Sequence, residues 1–150
     1  MMNLDIYCVT NKKLDFLEKT PFKLAAVGNE NFSKDYIRCD SKDNIFYKEK
    51  YYSELTFHYW YWKNILPNEN KKWVGFCQKR RFWINDKNNE DSISIDNLND
   101  HLLLNIDENL ENFESFICEP IKISGAKKIK IIKRGWRNLI NNPALIFKPE

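Results

Sequence analysis

Glycine is scarce in this chain, four residues in 150, and the signatures built on glycine are missing: there is no GxGxxG, Walker loop or GxSxG, and the two histidines form no HExxH. Those motifs exist because backbone must approach a phosphate closely, turn sharply or pair two imidazoles on a metal. Their absence disfavours the common dinucleotide, P-loop NTPase and hydrolase readings. Long apolar runs are missing too. Nothing approaches the ~20 residues of a membrane span, and Asp5 sits where a signal peptide would carry its basic region. The expectation is a soluble, cytoplasmic chain. Cys8, Cys39, Cys77 and Cys118 lie far apart, with no CxxC or Cys/His pairing. That spacing argues against a zinc site and a disulfide framework and predicts four buried free thiols.

What is present is bulky. The composition is 43% apolar and 15% aromatic, with five Trp, seven Tyr and ten Phe. A chain of this length buries roughly 68–70% of its unfolded surface and needs no metal or disulfide to form a core. Residues 1–150 are therefore expected to form a single domain. The net charge of +3 conceals a segregation: residues 85–119 carry ten acids against one base, and residues 120–150 carry eight bases against one acid. Such blocks either attract each other or serve separate partners, or are simply solvated surface.

Leu4-Asp-Ile-Tyr-Cys-Val9 reads as a core strand and stops at a polar cluster. Residues 14–19 suggest a short helix ended by Pro21, residues 22–27 a second apolar run closed by the Gly28-Asn29 turn, and residues 36–39 a short third strand. Asp40-Ser-Lys-Asp-Asn44 has the short polar side chains of turns and helix caps. Residues 51–66, free of Gly and Pro and closed by Pro67, predict one helix. Tyr51, Leu55, Trp62 and Leu66 share one side of it, with Phe57 and Trp60 nearly opposite, so burial of both sides is expected. Residues 73–77 predict a strand buried on both faces. Residues 93–95 suggest an edge strand, Asp96 or Asn97 a cap for a helix through Leu98, Leu102 and Leu103, and residues 115–118 a strand. Beyond the Ser124-Gly125 turn, residues 129–132 form another apolar run and residues 136–141 a final short helix. Strands separated by helices imply an α/β sheet.

Three constellations carry chemistry. Gln78-Lys-Arg-Arg81 follows a buried strand directly, and ligands of open α/β sheets bind outside the carboxyl ends of the strands. The guanidinium forks of Arg80 and Arg81 match phosphate oxygens; the same cations, flanked by Phe82 and Trp83, would also suit single-stranded nucleic acid or an unliganded hairpin tip. On the predicted helix, Glu54, His58 and Tyr61 share a side and Lys63 projects oppositely, so Glu54 and Lys63 do not pair; a buried Glu54 would need a partner or a ligand. Asp40 and Asp43 have a spacing that suits a divalent cation or sugar hydroxyls, or a helix-preceding loop.

The order of these blocks resembles a known family. Ile6-Tyr-Cys-Val-Thr-Asn11, Asp43-Asn-Ile45, Tyr51-Tyr-Ser-Glu-Leu-Thr56 leading into Tyr59-Trp-Tyr-Trp-Lys-Asn64, and Trp73-Val-Gly-Phe-Cys-Gln-Lys-Arg-Arg-Phe82 are similar to the domain-of-unknown-function 4422 family, bacterial glycosyltransferase-like proteins of capsule and lipopolysaccharide synthesis. The resemblance is close over residues 4–84 and looser beyond. It implies an α/β, GT-A-like fold, an open and mostly parallel sheet flanked by helices. It also implies transfer of a sugar from a nucleotide-sugar donor to a glycan or lipid-linked acceptor at the cytoplasmic membrane face. Thr10, Asn11, Asp43, Asn44, Glu54, Lys63, Asn64, Arg80 and Arg81 are then the expected nucleotide-sugar residues, with Mn²⁺ or Mg²⁺ as the implied cofactor and Asp40, Asp43 and Asp86 as candidate ligands. Two departures stand out. The family has His-Tyr-Arg-Arg where this chain has Gln78-Lys79-Arg80-Arg81, and its members are longer, so a truncated, N-terminal portion of the family domain is expected. The rival expectation is a binding module whose basic tail, residues 127–137, holds nucleic acid or anionic lipid; nucleic acid ranks behind the nucleotide sugar as a partner.

Overall fold

The computed structural model describes residues 3–85, 92–110, 112–118 and 136. The chain divides into two compact units, Met1–Asn112 and Phe113–Glu150. In the first, strands β1 (Leu4–Thr10), β2 (Lys23–Ala26), β3 (Ile37–Arg38) and β4 (Trp73–Gln78) form one sheet in the order β3-β2-β1-β4. Every strand pair is parallel. This is the open α/β sheet expected from the sequence and is consistent with the GT-A-like class.

The strand β1 is central, and its sequence shows why. Leu4, Ile6 and Cys8 enter one core, with Leu24, Ala26 and Cys77 from neighbouring strands. Tyr7 and Val9 enter the other, with Ala25, Val27, Val74 and Phe76. A parallel strand covered on both faces reads as a near-continuous apolar run instead of an alternating one. The first core is closed by Leu17, Phe22, Tyr36, Leu98 and Leu102. The second is closed by Phe57, Trp60 and Tyr61. Rings of Tyr7, Phe57, Tyr61 and Phe76 lie 5.0–6.4 Å apart between centroids, the spacing at which each aromatic pair contributes about 0.5–1.5 kcal/mol beyond its buried area.

The single helix expected over residues 51–66 is two: α1 (Glu49–Tyr52) and α2 (Leu55–Asn64). Ser53 separates them at φ +46°, ψ −121°. Its N–H closes α1 on the Glu49 carbonyl at 2.7 Å, and the chain then turns and restarts. A non-glycine residue held there costs on the order of 1–3 kcal/mol and persists only because packing over-determines it. Nor is the helical segment buried on both sides. Thr56, Phe57, Trp60 and Tyr61 are buried, but Tyr51, Leu55, Trp62 and Leu66 remain 48–74% exposed.

Other expectations are corrected in the same way. Residues 14–19 hold only a 3-10 turn at Leu17–Lys19. The strand β4 is half-buried over most of its length, with Cys77 its only buried residue. Residues 93–95 form no strand. The helix α3 spans only Leu98–His101; Leu102 pairs across to Ile84 as an isolated bridge instead of extending it. The carboxamide oxygen of Asn97 accepts the Ser94 N–H at 2.7 Å and so does not cap α3. In the second unit residues 115–118 have no regular structure and Cys118 is exposed, while the other three thiols are buried and free. The apolar run at 129–132, the helix at 136–141 apart from Trp136, the basic tail and Asp86 lie outside the described residues.

Candidate functional site

With all four strands parallel, their carboxyl ends share one edge. From β1 the chain proceeds to β2 and β3 on one side and later to β4 on the other. Strand order therefore reverses between β1 and β4, and in open parallel sheets the crevice outside such a reversal collects ligands.

Two turns build that crevice. After β1, the buried Thr10 hydroxyl accepts the Lys12 N–H at 3.0 Å and donates to the Lys12 carbonyl at 2.7 Å. Its hydrogen bonds are spent inside the turn, so Thr10 shapes the site without facing a ligand. After β4, the Arg81 N–H bonds the Gln78 carbonyl at 2.9 Å and the Gln78 N–H returns to Arg81 at 3.2 Å. This closed turn leaves Lys79 and Arg80 at its tip. The Lys79 ammonium donates to the Asn11 carboxamide oxygen and ties the two turns together. Arg81 is exposed and is held in the turn by its backbone.

A cavity of about 680 Å³ opens beside these turns. Lys12, Lys79 and Arg80 supply its cations, and Leu14, Phe16, Phe82 and Leu98 supply apolar walls. Phe82 is itself fixed by Phe16 and Phe22, each 6.4 Å away between ring centroids. Among the described residues neither Lys12 nor Arg80 has an acidic partner within salt-bridge distance. Apolar walls lower the local dielectric and strengthen the pull of these cations on an anion. The arrangement suits a phosphate or diphosphate carried on a group with an apolar or aromatic surface.

The remaining expected site residues lie elsewhere. Asn64 donates from Nδ2 to the Asp43 carbonyl and to the Trp60 carbonyl, both at 2.8 Å. The Asp43 carboxylate accepts the Tyr59 hydroxyl at 3.1 Å, and Trp60 Nε1–H reaches the Ser41 carbonyl at 2.9 Å. Asn44 accepts the Phe46 N–H at 3.0 Å and donates to the Lys42 carbonyl at 2.9 Å. Asp43 and Asn64, with the Trp60 indole, thus pin the 40–44 loop to α2, while Asn44 braces the loop internally. Lys63 stacks its ammonium 3.8 Å above the Trp62 ring. Glu54 is half-buried, and its charge acts on His58, whose ring packs 4.5 Å from Phe76. Burial holds the His58 imidazole below its ordinary value, with Glu54 opposing. As expected, Glu54 and Lys63 form no ion pair. The helix α2 covers one face of the sheet, whereas the cavity walls Leu14, Phe16, Phe82 and Leu98 belong to the core on the other.

Among the described residues no group of three or more His, Cys, Asp or Glu side chains converges to hold a metal. Asp40 is gripped by Arg38 at 2.9 and 3.1 Å, and Asp43 is engaged as above. Both carboxylates thus already have protein partners, and Asp86 lies outside the described residues. Burial pushes the Cys39 thiol up to about 11, and contact with Cys8, then burial, pushes the Cys77 thiol up as well.

Of the residues expected from the sequence, the structure brings Asn11 and Arg80 to this crevice edge; the apolar walls were not anticipated. No local signal marks Phe16, Phe82 or Leu98, because each is an ordinary core residue until folding sets it beside the cations. No curated protein and no solved structure matches the chain. The family comparison is positive: a model matches residues 5–134, and the chain belongs to the family described as a domain of unknown function, DUF4422.

Proposed function

We propose that the Met1–Asn112 unit is the donor-binding part of a cytoplasmic glycosyltransferase in bacterial surface polysaccharide synthesis, taking a nucleotide sugar and passing its sugar to a glycan or lipid-linked acceptor. The observation that supports this is the set of Lys12, Lys79 and Arg80 beside an apolar-walled cavity at the β1/β4 reversal. The family's resemblance to glycosyltransferases of capsule and lipopolysaccharide synthesis supplies the reaction class.

In such a transfer the bond from the anomeric carbon to the diphosphate breaks, and its electron pair leaves with the phosphate. Negative charge grows on that oxygen, and fixed cations in a low-dielectric site stabilise it without reorganising. Arg80 can take two phosphate oxygens through its fork, Lys12 contributes a point charge, and the Lys79–Asn11 contact holds the two turns at a constant separation. Mn²⁺ or Mg²⁺, if bound, would supply a Lewis acid for the same departing phosphate.

The test is calorimetric titration of the full chain with nucleoside diphosphates, with and without Mn²⁺. Binding is expected, and Arg80→Ala should weaken it about 10- to 100-fold, the worth of a charge-assisted hydrogen bond, without lowering the melting temperature. Absence of binding to every nucleoside diphosphate, with salt-sensitive binding of single-stranded RNA instead, overturns the reading.

A further inference from the structure

The outward side of α2 and the turn before it is left uncovered. Tyr47, Tyr51, Tyr52, Leu55, Trp62 and Leu66 are each 46–75% exposed. Leu55, Tyr59 and Trp62 recur at the spacing of one side of α2, and Leu66 follows in the 3-10 turn after it. Lys48 lies close enough to Tyr59 for its charge to act on the hydroxyl, so the turn joins the same surface. Isolated apolar residues on a surface are ordinary; a run of this kind marks an interaction site.

The charges on this side identify the partner. Lys48 sits 5.3 Å from the Tyr47 ring, Lys50 4.8 Å from Tyr51, and Lys63 3.8 Å from Trp62 and 5.9 Å from Tyr59. Every lysine of the segment 46–66 is therefore laid along an exposed ring. The segment's two acids are half-buried and turned elsewhere. Glu49 approaches Gly28, its Oε1 3.7 Å from where a Cβ would stand, and Glu54 acts on His58. Asp43 meets this surface from the 40–44 loop, its carboxylate accepting the Tyr59 hydroxyl at 3.1 Å, and Lys48, Lys50 and Lys63 outnumber it.

We infer that this face docks the chain on an anionic lipid bilayer. Protein interfaces are depleted in lysine at their centre, whereas lysine interleaved with Tyr and Trp suits the headgroup level. There the rings enter the acyl boundary, the aliphatic stems lie along them and the ammonium groups meet lipid phosphate. The surface lies on the opposite face of the sheet from the cavity walls, and the inference stands independently of the transferase reading.

The experiment is co-sedimentation of the full chain with vesicles of phosphatidylcholine alone and of phosphatidylcholine with phosphatidylglycerol, at low and high salt. Binding is expected only with phosphatidylglycerol and is lost at high salt. Replacing Lys48, Lys50 and Lys63 together by Gln should lower the partition coefficient roughly a hundredfold. Trp62→Ser should lower it without shifting the melting temperature, since the ring is half exposed. Equal binding to both vesicles, or none, overturns the inference. Undiminished binding of the triple variant also overturns it, because the cationic stretch 127–137 would then carry the attachment. A dimer that Trp62→Ser dissociates, with no vesicle binding, would show that the face joins two copies.

Discussion

Asn64→Ala separates two roles for the residue, a sugar-nucleotide ligand or a structural tether. In the structure its amide donates to the Asp43 and Trp60 carbonyls, both at 2.8 Å. One bond closes the last turn of α2 and the other holds the loop whose Ser41 carbonyl receives the Trp60 indole N–H at 2.9 Å. A typical intramolecular hydrogen bond contributes about 0.5–1.5 kcal/mol net. Asn64 is half-buried, so water can replace part of what is lost, and the substitution should cost about 1–2 kcal/mol. For a chain of this size that lowers the melting temperature by roughly 2–8 °C. Asn64→Asp should cost more, since it exchanges both donors for acceptors facing carbonyl oxygens. Thermal denaturation followed by circular dichroism reads the stability, and calorimetric titration with a nucleoside diphosphate reads the site. Both variants should retain wild-type affinity, because the cavity walls belong to the core across the sheet. Unchanged stability with lost nucleotide binding would refute the tether and return Asn64 to the pocket.

Gly75 faces Ile6 across the β1/β4 pair, where an added Cβ would stand 3.0 Å from Ile6 Cγ1. Gly75→Ala should therefore destabilise by about 1–3 kcal/mol in urea denaturation, and an unchanged midpoint would show that Ile6 yields freely. The imidazole of His58 has a folded-state value below its ordinary 6.5, owing first to burial. The unfolded chain then takes up a proton before the native one does, so stability falls as pH drops below 6.5 and levels off once the native imidazole also protonates. His58→Phe should flatten that slope in a pH series of denaturant midpoints; an identical slope would assign it to other groups. Glu69 has the same sign for a different reason. The Lys71 N–H, then the Tyr61 hydroxyl at 2.8 Å, hold its carboxyl below the usual range, and this stability is lost as pH falls through the lowered folded value. Glu69→Gln should reduce acid sensitivity there, and no change would leave Glu69 without a stabilising role.

Much of the sheet was legible because its signals are local. The segments around Leu4–Thr10, Lys23–Ala26, Ile37–Arg38 and Trp73–Gln78 are apolar, strand-forming and bounded by polar or proline-containing stretches, and each became a strand. The break at Ser53 was not legible. The segment from Tyr51 to Leu66 contains neither Gly nor Pro, and Ser53 nevertheless takes φ +46° between α1 and α2. Residues 93–95 were misread for the opposite reason: their alternation is real, but Ile93 is drawn against the first core without a strand partner.

By itself the sequence determined the class of the fold, an α/β sheet with Leu4–Thr10 as a core strand, and the identity of the cationic turn at Lys79 and Arg80. Hydrophobic periodicity and side-chain charge are properties of short stretches, and they survive whatever the rest of the chain does. Only the tertiary structure decided the strand order β3-β2-β1-β4, which sets the β1/β4 reversal beside that turn and brings Lys12 to it from far away in sequence. It also divided one aromatic segment into two uses. Phe57, Trp60 and Tyr61 face a sheet and become core, and Tyr51, Leu55 and Trp62 face nothing in the unit and become surface. Apolarity specifies that a side chain gains by leaving water; which surface receives it depends on what the fold places opposite.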